Sequence, residues 1–213
     1  MTAKNIDLYT WSTPNGRKVS IMLEEIGMSY QVVPIDITKG DQHKPEFLAI
    51  SPNNKIPAIV DHDAGIHLME SGAILMYLAH KSGKLISPMG AKYWQEMEWL
   101  MLQMGGVGPI LGQAHHFLKF NAGKSSYAEE RYSAETARLY GVLNERLKSS
   151  AYLAGNYSIA DIATWPWISR YEWQEMELND FPSLKDWYLR IADRPAVQRG
   201  YAVPKDLELP RPS

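Results

Sequence analysis

Two stretches carry residue types that could do chemistry: Glu70-Ser71 and Thr13-Pro14-Asn15. Ser71 stands at the start of the helix-like run ESGAILMYLAHK. A hydroxyl, a first-turn N–H and the positive end of the helix dipole together make an anion site, and a carboxylate is its natural guest. Glu70 adds a negative charge suited to an ammonium. The pair therefore suits the head of an α-amino acid, although a serine at this position also serves as a plain N-cap. Thr13, Pro14 and Asn15 form a polar hinge between a strand-like and a helix-like run. A positive helix end, an O–H and an N–H there favour a negatively charged ligand atom. The same residues also fit an ordinary helix N-terminal box.

Two other motifs resemble chemistry but read otherwise. Ser158-Ile159-Ala160-Asp161 is a capping-box variant, so Asp161 is structural rather than catalytic. His115 and His116 are adjacent, and successive helical residues point about 100° apart. They lack the i,i+4 spacing of a zinc-binding helix and have no cysteine partner, so no metal site is expected.

Composition narrows the choices. The chain has 213 residues, room for one large or two modest domains. The net charge of -2 gives no reason to expect nucleic acid or an anionic membrane as partner. No apolar run approaches the roughly 20 residues of a membrane span, and the first five residues lack the apolar core of a signal peptide. A cytoplasmic, soluble protein is expected. With no cysteine, the chain has no disulfide, no cysteine-based zinc site and no cysteine nucleophile. Its seven tryptophans and ten methionines are read mainly as core, including Trp94, Trp99, Met101 and Met104, with part of that stripe available to line a second, apolar substrate site.

The elements that must position these residues follow from periodicity. Residues 6–10 alternate as a strand. Pro14 suits the first turn of a helix, Val19, Met22, Leu23 and Ile26 fall at helical spacing, and Gly27 is a C-cap. Residues 30–37 read as a second strand, so the first two strands are parallel. Ala58-Ile59-Val60 and residues 66–69 make an antiparallel pair, and a helix follows with an apolar stripe at Ala73, Ile74, Tyr77 and Leu78. Residues 82–90 read as a linker. Beyond them the chain reads as helical: 91–120 with a kink at Gly105-Gly106-Val107-Gly108-Pro109, then 127–148, 158–172 and 183–193, with 203–213 as an extended strap. The fold class is an α/β domain, βαβ-ββα with a mixed four-stranded sheet, over residues 1–82, and an all-α domain over 90–213.

With NNKIPAIVD, ESGAILMYL and YSIADIATWPW in this order and spacing, the chain resembles the glutathione transferase family along its whole length. The hinge TPNGRKVSIMLEE is most similar to the nu-class, glutathione-dependent disulfide-bond reductase subgroup. The resemblance implies a thioredoxin-like glutathione-binding domain, a homodimer and glutathione as cosubstrate, with no metal. It implies that the Ile56-Pro57 bond is cis and that the N–H and C=O of Ile56 pair with the cysteinyl backbone of glutathione. It assigns Glu70 and Ser71 to the γ-glutamyl end. Gln42 contacts the peptide, Lys55 neutralises its glycyl carboxylate, and Arg131 reaches it from the helical domain. For Lys55 a solvated loop is the rival reading, and for Arg131 an i,i+4 ion pair.

Under this resemblance the sulfur belongs to the ligand. A thiol with a pKa of about 8.5 is only slightly ionised at neutral pH. Asn15 first and Thr13 second are expected to stabilise its thiolate. Tyr9 and Ser12 are nearby, with Tyr9 read as core. The expected reaction is thiol–disulfide exchange between glutathione and a small disulfide. The alternatives are conjugation to small electrophiles, or a non-catalytic glutathione-binding regulator.

Overall fold

The computed structural model describes residues 5–212. The segment 1–4, which contributed to the reading of the N-terminus, and the last residue of the expected strap, Ser213, lie outside the described residues.

The first elements are β1 (Ile6–Thr10), α1 (Pro14–Ile26), β2 (Tyr30–Pro34), α2 (Pro45–Leu48), β3 (Ala58–Asp61), β4 (Ile66–Met69) and α3 (Ser71–Ser82). They form a four-stranded sheet in the order β2-β1-β3-β4. β1 and β2 are parallel, with Leu8 opposite Val32, because α1 carries the chain back to the same sheet end. β3 runs antiparallel to β1 and to β4. β2 ends at Pro34 rather than Ile37. The Asp36 carboxylate accepts from both the N–H and the hydroxyl of Thr38, which curls the chain into a turn.

α1 forms where the sequence says it should. Thr13 is its N-cap, Pro14 its first residue, and Gly27 closes it at φ 72°. Val19, Met22, Leu23 and Ile26 are buried. Two adjacent cations, Arg17 and Lys18, are buried as well. α3 is rotated by about one position from the expected stripe. Its core face is Ile74, Leu75, Leu78 and Ala79, Ala73 is exposed, and the Tyr77 hydroxyl donates to Asp61 at 2.6 Å.

The helical elements are α4 (Ala91–Leu102), α5 (Gly108–Ala114), α6 (Ser126–Leu147), α7 (Ile159–Ile168) and α8 (Pro182–Ala192). The expected interruption around Gly105-Gly106 is a π-helical turn at Gln103–Val107, after which α5 resumes with Pro109 in its first turn. A second π turn spans His115–Phe120. α7 stops at Ile168, earlier than expected, and the Trp167 carbonyl at its end accepts from the Arg170 N–H at 3.2 Å and from the Gln174 side chain at 2.9 Å. The core reading of the tryptophan and methionine stripe fails at Trp94 and Met101, which are 62% and 51% exposed. On α4 the core positions belong to Tyr93, Met97 and Leu100, which sit on another face of the same helix.

A last helix, α9 (Pro195–Tyr201), was not foreseen, although Pro195 at its first position is the usual signal. It packs on α1. A Cβ at Gly200 would lie 2.5 Å from Cα of Ile21, so only glycine permits that approach. Arg194 holds Glu25 at 2.6 and 2.8 Å, and Arg199 holds Glu24 at 2.7 Å. The Arg17 guanidinium lies 3.5 Å over the Tyr201 ring and donates to its carbonyl. Accordingly the chain divides into two compact units. One is the described part of Met1–Ile86 with Arg194–Leu209, and the other is Ser87–Asp193 with the described part of Pro210–Ser213.

Candidate functional site

The first unit carries seven of the expected residues: Thr13, Asn15, Gln42, Lys55, Ile56, Glu70 and Ser71. The eighth, Arg131, lies on α6 in the helical unit.

The hinge between β1 and α1 is built by its own side chains. Thr13 Oγ1 accepts the N–H of Gly16 at 3.2 Å. A hydroxyl has a single proton, so an oxygen used this way keeps its O–H to donate elsewhere. A Cβ at position 16 would lie 2.3 Å from the Trp11 carbonyl oxygen and 2.5 Å from Thr10 Oγ1. The glycine of TPNG therefore sets how tightly α1 turns out of β1. Asn15 sits in the first turn of α1, one residue before that glycine. Ser12 Oγ is buried and lacks a hydrogen-bond partner among the described residues. Tyr9 packs its ring 6.1 Å from Phe47, against Ile35 and Ala58. Burial, with Asp7 nearby, raises its phenol above the ordinary value, so Tyr9 is a poor source of a phenolate.

The Ile56–Pro57 peptide bond is cis, as the resemblance implied. Among the described residues neither the main-chain N–H nor the C=O of Ile56 makes a hydrogen bond. Its side chain joins the Ile35–Phe47–Ala58 cluster. Lys55 is exposed, and its carbonyl accepts from the Ser51 hydroxyl at 2.8 Å, which holds the loop. Gln42 Oε1 is buried without a partner, while Nε2 meets His43 at 3.3 Å.

Glu70 is the N-cap of α3 and sits at φ 71°, a conformation that favours glycine. It makes no capping bond, and its side chain is exposed. Non-glycine strain of this kind costs of order 1–3 kcal/mol and gathers at ligand-binding positions. Ser71 is buried at the first turn of α3, and the Lys18 ammonium donates to its Oγ at 3.3 Å. Burial pulls Lys18 down to about 7, with Glu70 acting in the opposite sense. Lys18 was not foreseen as a site residue. Its one sequence signal is its place four residues before the core residue Met22.

In the helical unit, Arg131 is exposed and makes no ion pair among the described residues. The rival reading, an i,i+4 ion pair, is not formed: Glu135, four residues after Arg131, is held by Arg138. Arg131 lines a cleft of ≈ 570 Å³ with Tyr127, Glu135 and Arg138. Asp161 is a structural residue. Its carboxylate accepts from the Ser158 N–H, the Leu153 N–H and Trp187 Nε1. His115 is buried between Trp167 and Trp173, its ring 5.5 Å from each. No cluster of three metal-ligating side chains exists among the described residues, and no helix there is long and apolar enough to cross a membrane.

Residues 4–80 match the model for the glutathione S-transferase N-terminal domain, and 107–195 match that for its C-terminal domain. The chain is 51% identical to disulfide-bond oxidoreductase YfcG of Escherichia coli over 198 residues, 90% of this chain and 92% of that protein. It is similar to a glutathione transferase from Pseudomonas putida with one glutathione disulfide bound per subunit. The TM-score is 0.89 and the identity 42%, over 95% of this chain and 93% of that one. A glutathione transferase from Burkholderia graminis, with two glutathione molecules bound per subunit, matches with a TM-score of 0.88 and 44% identity, over 95% and 89% of the two chains.

Proposed function

Because the chain belongs to the glutathione S-transferase family, we propose that it is a glutathione-dependent thiol–disulfide oxidoreductase whose reactive sulfur is carried by the ligand. One observation carries this reading: a chain half identical to a disulfide-bond oxidoreductase contains no cysteine of its own. Either bound form seen in the structural relatives, one glutathione disulfide or two glutathiones, supplies the sulfur that is missing.

The residues act as follows. The N-terminus of α1, the Thr13 hydroxyl and Asn15 stabilise the thiolate of the first glutathione. Ile56 pairs its main chain with the cysteinyl part, and the orphaned Gln42 Oε1 takes an N–H of the peptide. Glu70 receives the γ-glutamyl ammonium and Ser71 the carboxylate beside it. Lys55, at the surface, neutralises the glycyl carboxylate. The assignment of Arg131 to the same peptide rests on the family resemblance alone.

The chemistry balances without a protein thiol. The glutathione thiolate attacks one sulfur of a disulfide, forming a mixed disulfide and expelling the other sulfur as a thiolate. A second glutathione thiolate attacks the glutathione sulfur of that mixed disulfide. The products are glutathione disulfide and a second substrate thiolate, and the two expelled thiolates take up the protons the glutathiones gave. The working protein is a homodimer in the cytoplasm, where reduced glutathione is abundant.

The test is turnover of hydroxyethyl disulfide with reduced glutathione, followed as glutathione disulfide formed. Rapid turnover supports the reading. Turnover of an aryl halide but not of the disulfide would make the protein a conjugating transferase. Binding without either turnover would make it a regulator.

A further inference from the structure

The hinge between β1 and α1 carries an aromatic ring that the chemistry above does not use, and a cation sits on it. Lys205 Nζ lies 4.2 Å from the centre of the Trp11 ring. Both residues belong to the first unit, Trp11 half-buried and Lys205 exposed. Two backbone contacts bring them together. The Trp11 carbonyl accepts the Thr13 N–H at 2.7 Å, so the turn that sets the head of α1 also fixes Trp11. Arg17, in the first turn of α1, donates to the Tyr201 carbonyl at 3.2 Å, so the segment leaving α9 starts beside the same helix end.

A ring face attracts an ammonium without neutralising it. Lys205 makes no ion pair and no hydrogen bond among the described residues. Asp206 and Glu208, in the same segment, do not pair with it. Asp36, the carboxylate that feels its charge, is taken up by the N–H and hydroxyl of Thr38 and lies 3.7 Å from Lys39. A positive charge without a paired anion therefore stands at the hinge. Next to Trp11 in the chain, the buried Ser12 Oγ also lacks a partner among the described residues.

We infer that Lys205, seated on Trp11, is a specificity-determining residue that selects disulfides carrying a carboxylate near the sulfur. This rests on the reading that the head of α1 holds the glutathione thiolate. The disulfide must bring one sulfur against that thiolate, so the groups flanking its sulfurs are carried to the surroundings of the hinge. The attacking sulfur is an anion and repels an anionic disulfide. A cation at the hinge offsets that repulsion, gives a neutral disulfide little, and disfavours a cationic one. The ring face keeps the ammonium of a flexible side chain at that place.

The test uses three disulfides with the same two-methylene arms: dithiodipropionate, which is anionic, hydroxyethyl disulfide, which is neutral, and cystamine, which is cationic. kcat/KM is measured for each with saturating glutathione, in the wild type and in Lys205→Met, Lys205→Arg and Lys205→Glu. Comparing variants on one substrate cancels the intrinsic reactivity of that disulfide. The ratio of dithiodipropionate to hydroxyethyl disulfide is expected to fall about three- to tenfold in Lys205→Met. It falls further in Lys205→Glu and keeps its wild-type value in Lys205→Arg. The ratio of cystamine to hydroxyethyl disulfide moves the opposite way, and added salt brings the wild type toward Lys205→Met. Equal changes on all three substrates, or no change on any, would overturn the inference while leaving the functional reading intact. Failure of the wild type to turn over any of the three would remove the reading beneath it, and the inference with it.

Discussion

The hydroxyl oxygen of Thr13 accepts the backbone N–H of Gly16 at 3.2 Å, and this one bond gives Thr13 two tasks. It caps α1, and it leaves the hydroxyl proton to donate at the positive end of that helix. Stability and chemistry are thereby coupled at one residue, and substitutions can separate them. Thr13→Ser keeps both oxygen functions and is expected to retain fold and rate. Thr13→Val is expected to cost about 1 kcal/mol of stability and to lower the exchange rate. Denaturant midpoints and kcat measured together check this. A Thr13→Val enzyme with unchanged kcat would leave Thr13 only its capping role.

Asn15 and Ser71 divide the work differently. Asn15→Ala is expected to lower the disulfide exchange rate more than glutathione affinity, because its contribution grows as the sulfur becomes charged. Ser71→Ala is expected mainly to weaken binding, by about tenfold, because the γ-glutamyl carboxylate carries the same charge throughout the reaction. Steady-state kinetics with glutathione as the varied substrate separates the two, and the opposite ranking would refute both assignments.

The helical unit holds a titrating pair with opposite signs. Gln174 Nε2 lies 3.0 Å from His115 Nε2 and 2.9 Å from the Trp167 carbonyl, while its Oε1 accepts from Tyr140. The amide nitrogen can only donate, so His115 Nε2 accepts and the ring is neutral with its proton on Nδ1. Burial, aided by Arg170, lowers His115 from 6.5 to about 4. The unfolded chain therefore holds more protons across that window. The contribution of His115 to stability is complete above pH 6.5 and is lost as pH falls through about 4, a change of about 3 kcal/mol. Burial raises Asp161 from 3.8 to about 6 against its donors. Its contribution is complete below 3.8 and is lost as pH rises through about 6. His115→Gln keeps an acceptor for Gln174 and removes the first titration. Urea midpoints against pH are expected to show wild type losing stability relative to this variant on acidification. Parallel curves would contradict the buried neutral imidazole.

The docking of α9 on α1 predicts a steric effect. Gly200→Ala places a methyl against the Ile21 backbone and is expected to cost about 1–3 kcal/mol, read as a lowered thermal midpoint. Unchanged stability would mean that α9 is not held at that distance.

Much of this was legible in the residues. Thr13, Pro14 and Gly27 mark both ends of α1 by local chemistry, and β1–α1–β2 follows from period alone. Glu70-Ser71 declares itself because a carboxylate, a hydroxyl and a helix start coincide in two positions. Lys18 did not, because its burial comes from α3, and between Arg17 and Val19 it reads as a solvated cation. Trp94 and Met101 misled for a related reason: a large apolar side chain on a helix shows which face it is on but not what covers that face. α9 does not declare itself, because a seven-residue helix after a proline has too little period to stand out.

The central claim, that the fold grips a sulfur it does not own and stabilises its anion, is tested most directly by titrating that sulfur in place. The ultraviolet absorbance of the thiolate is followed against pH with reduced glutathione bound to the wild-type protein, which has no cysteine to add background. The account predicts a midpoint at least about one unit below the ordinary thiol value of about 8.5, and a return toward that value in Asn15→Ala. Bound glutathione that titrates at the same pH as free glutathione would contradict it.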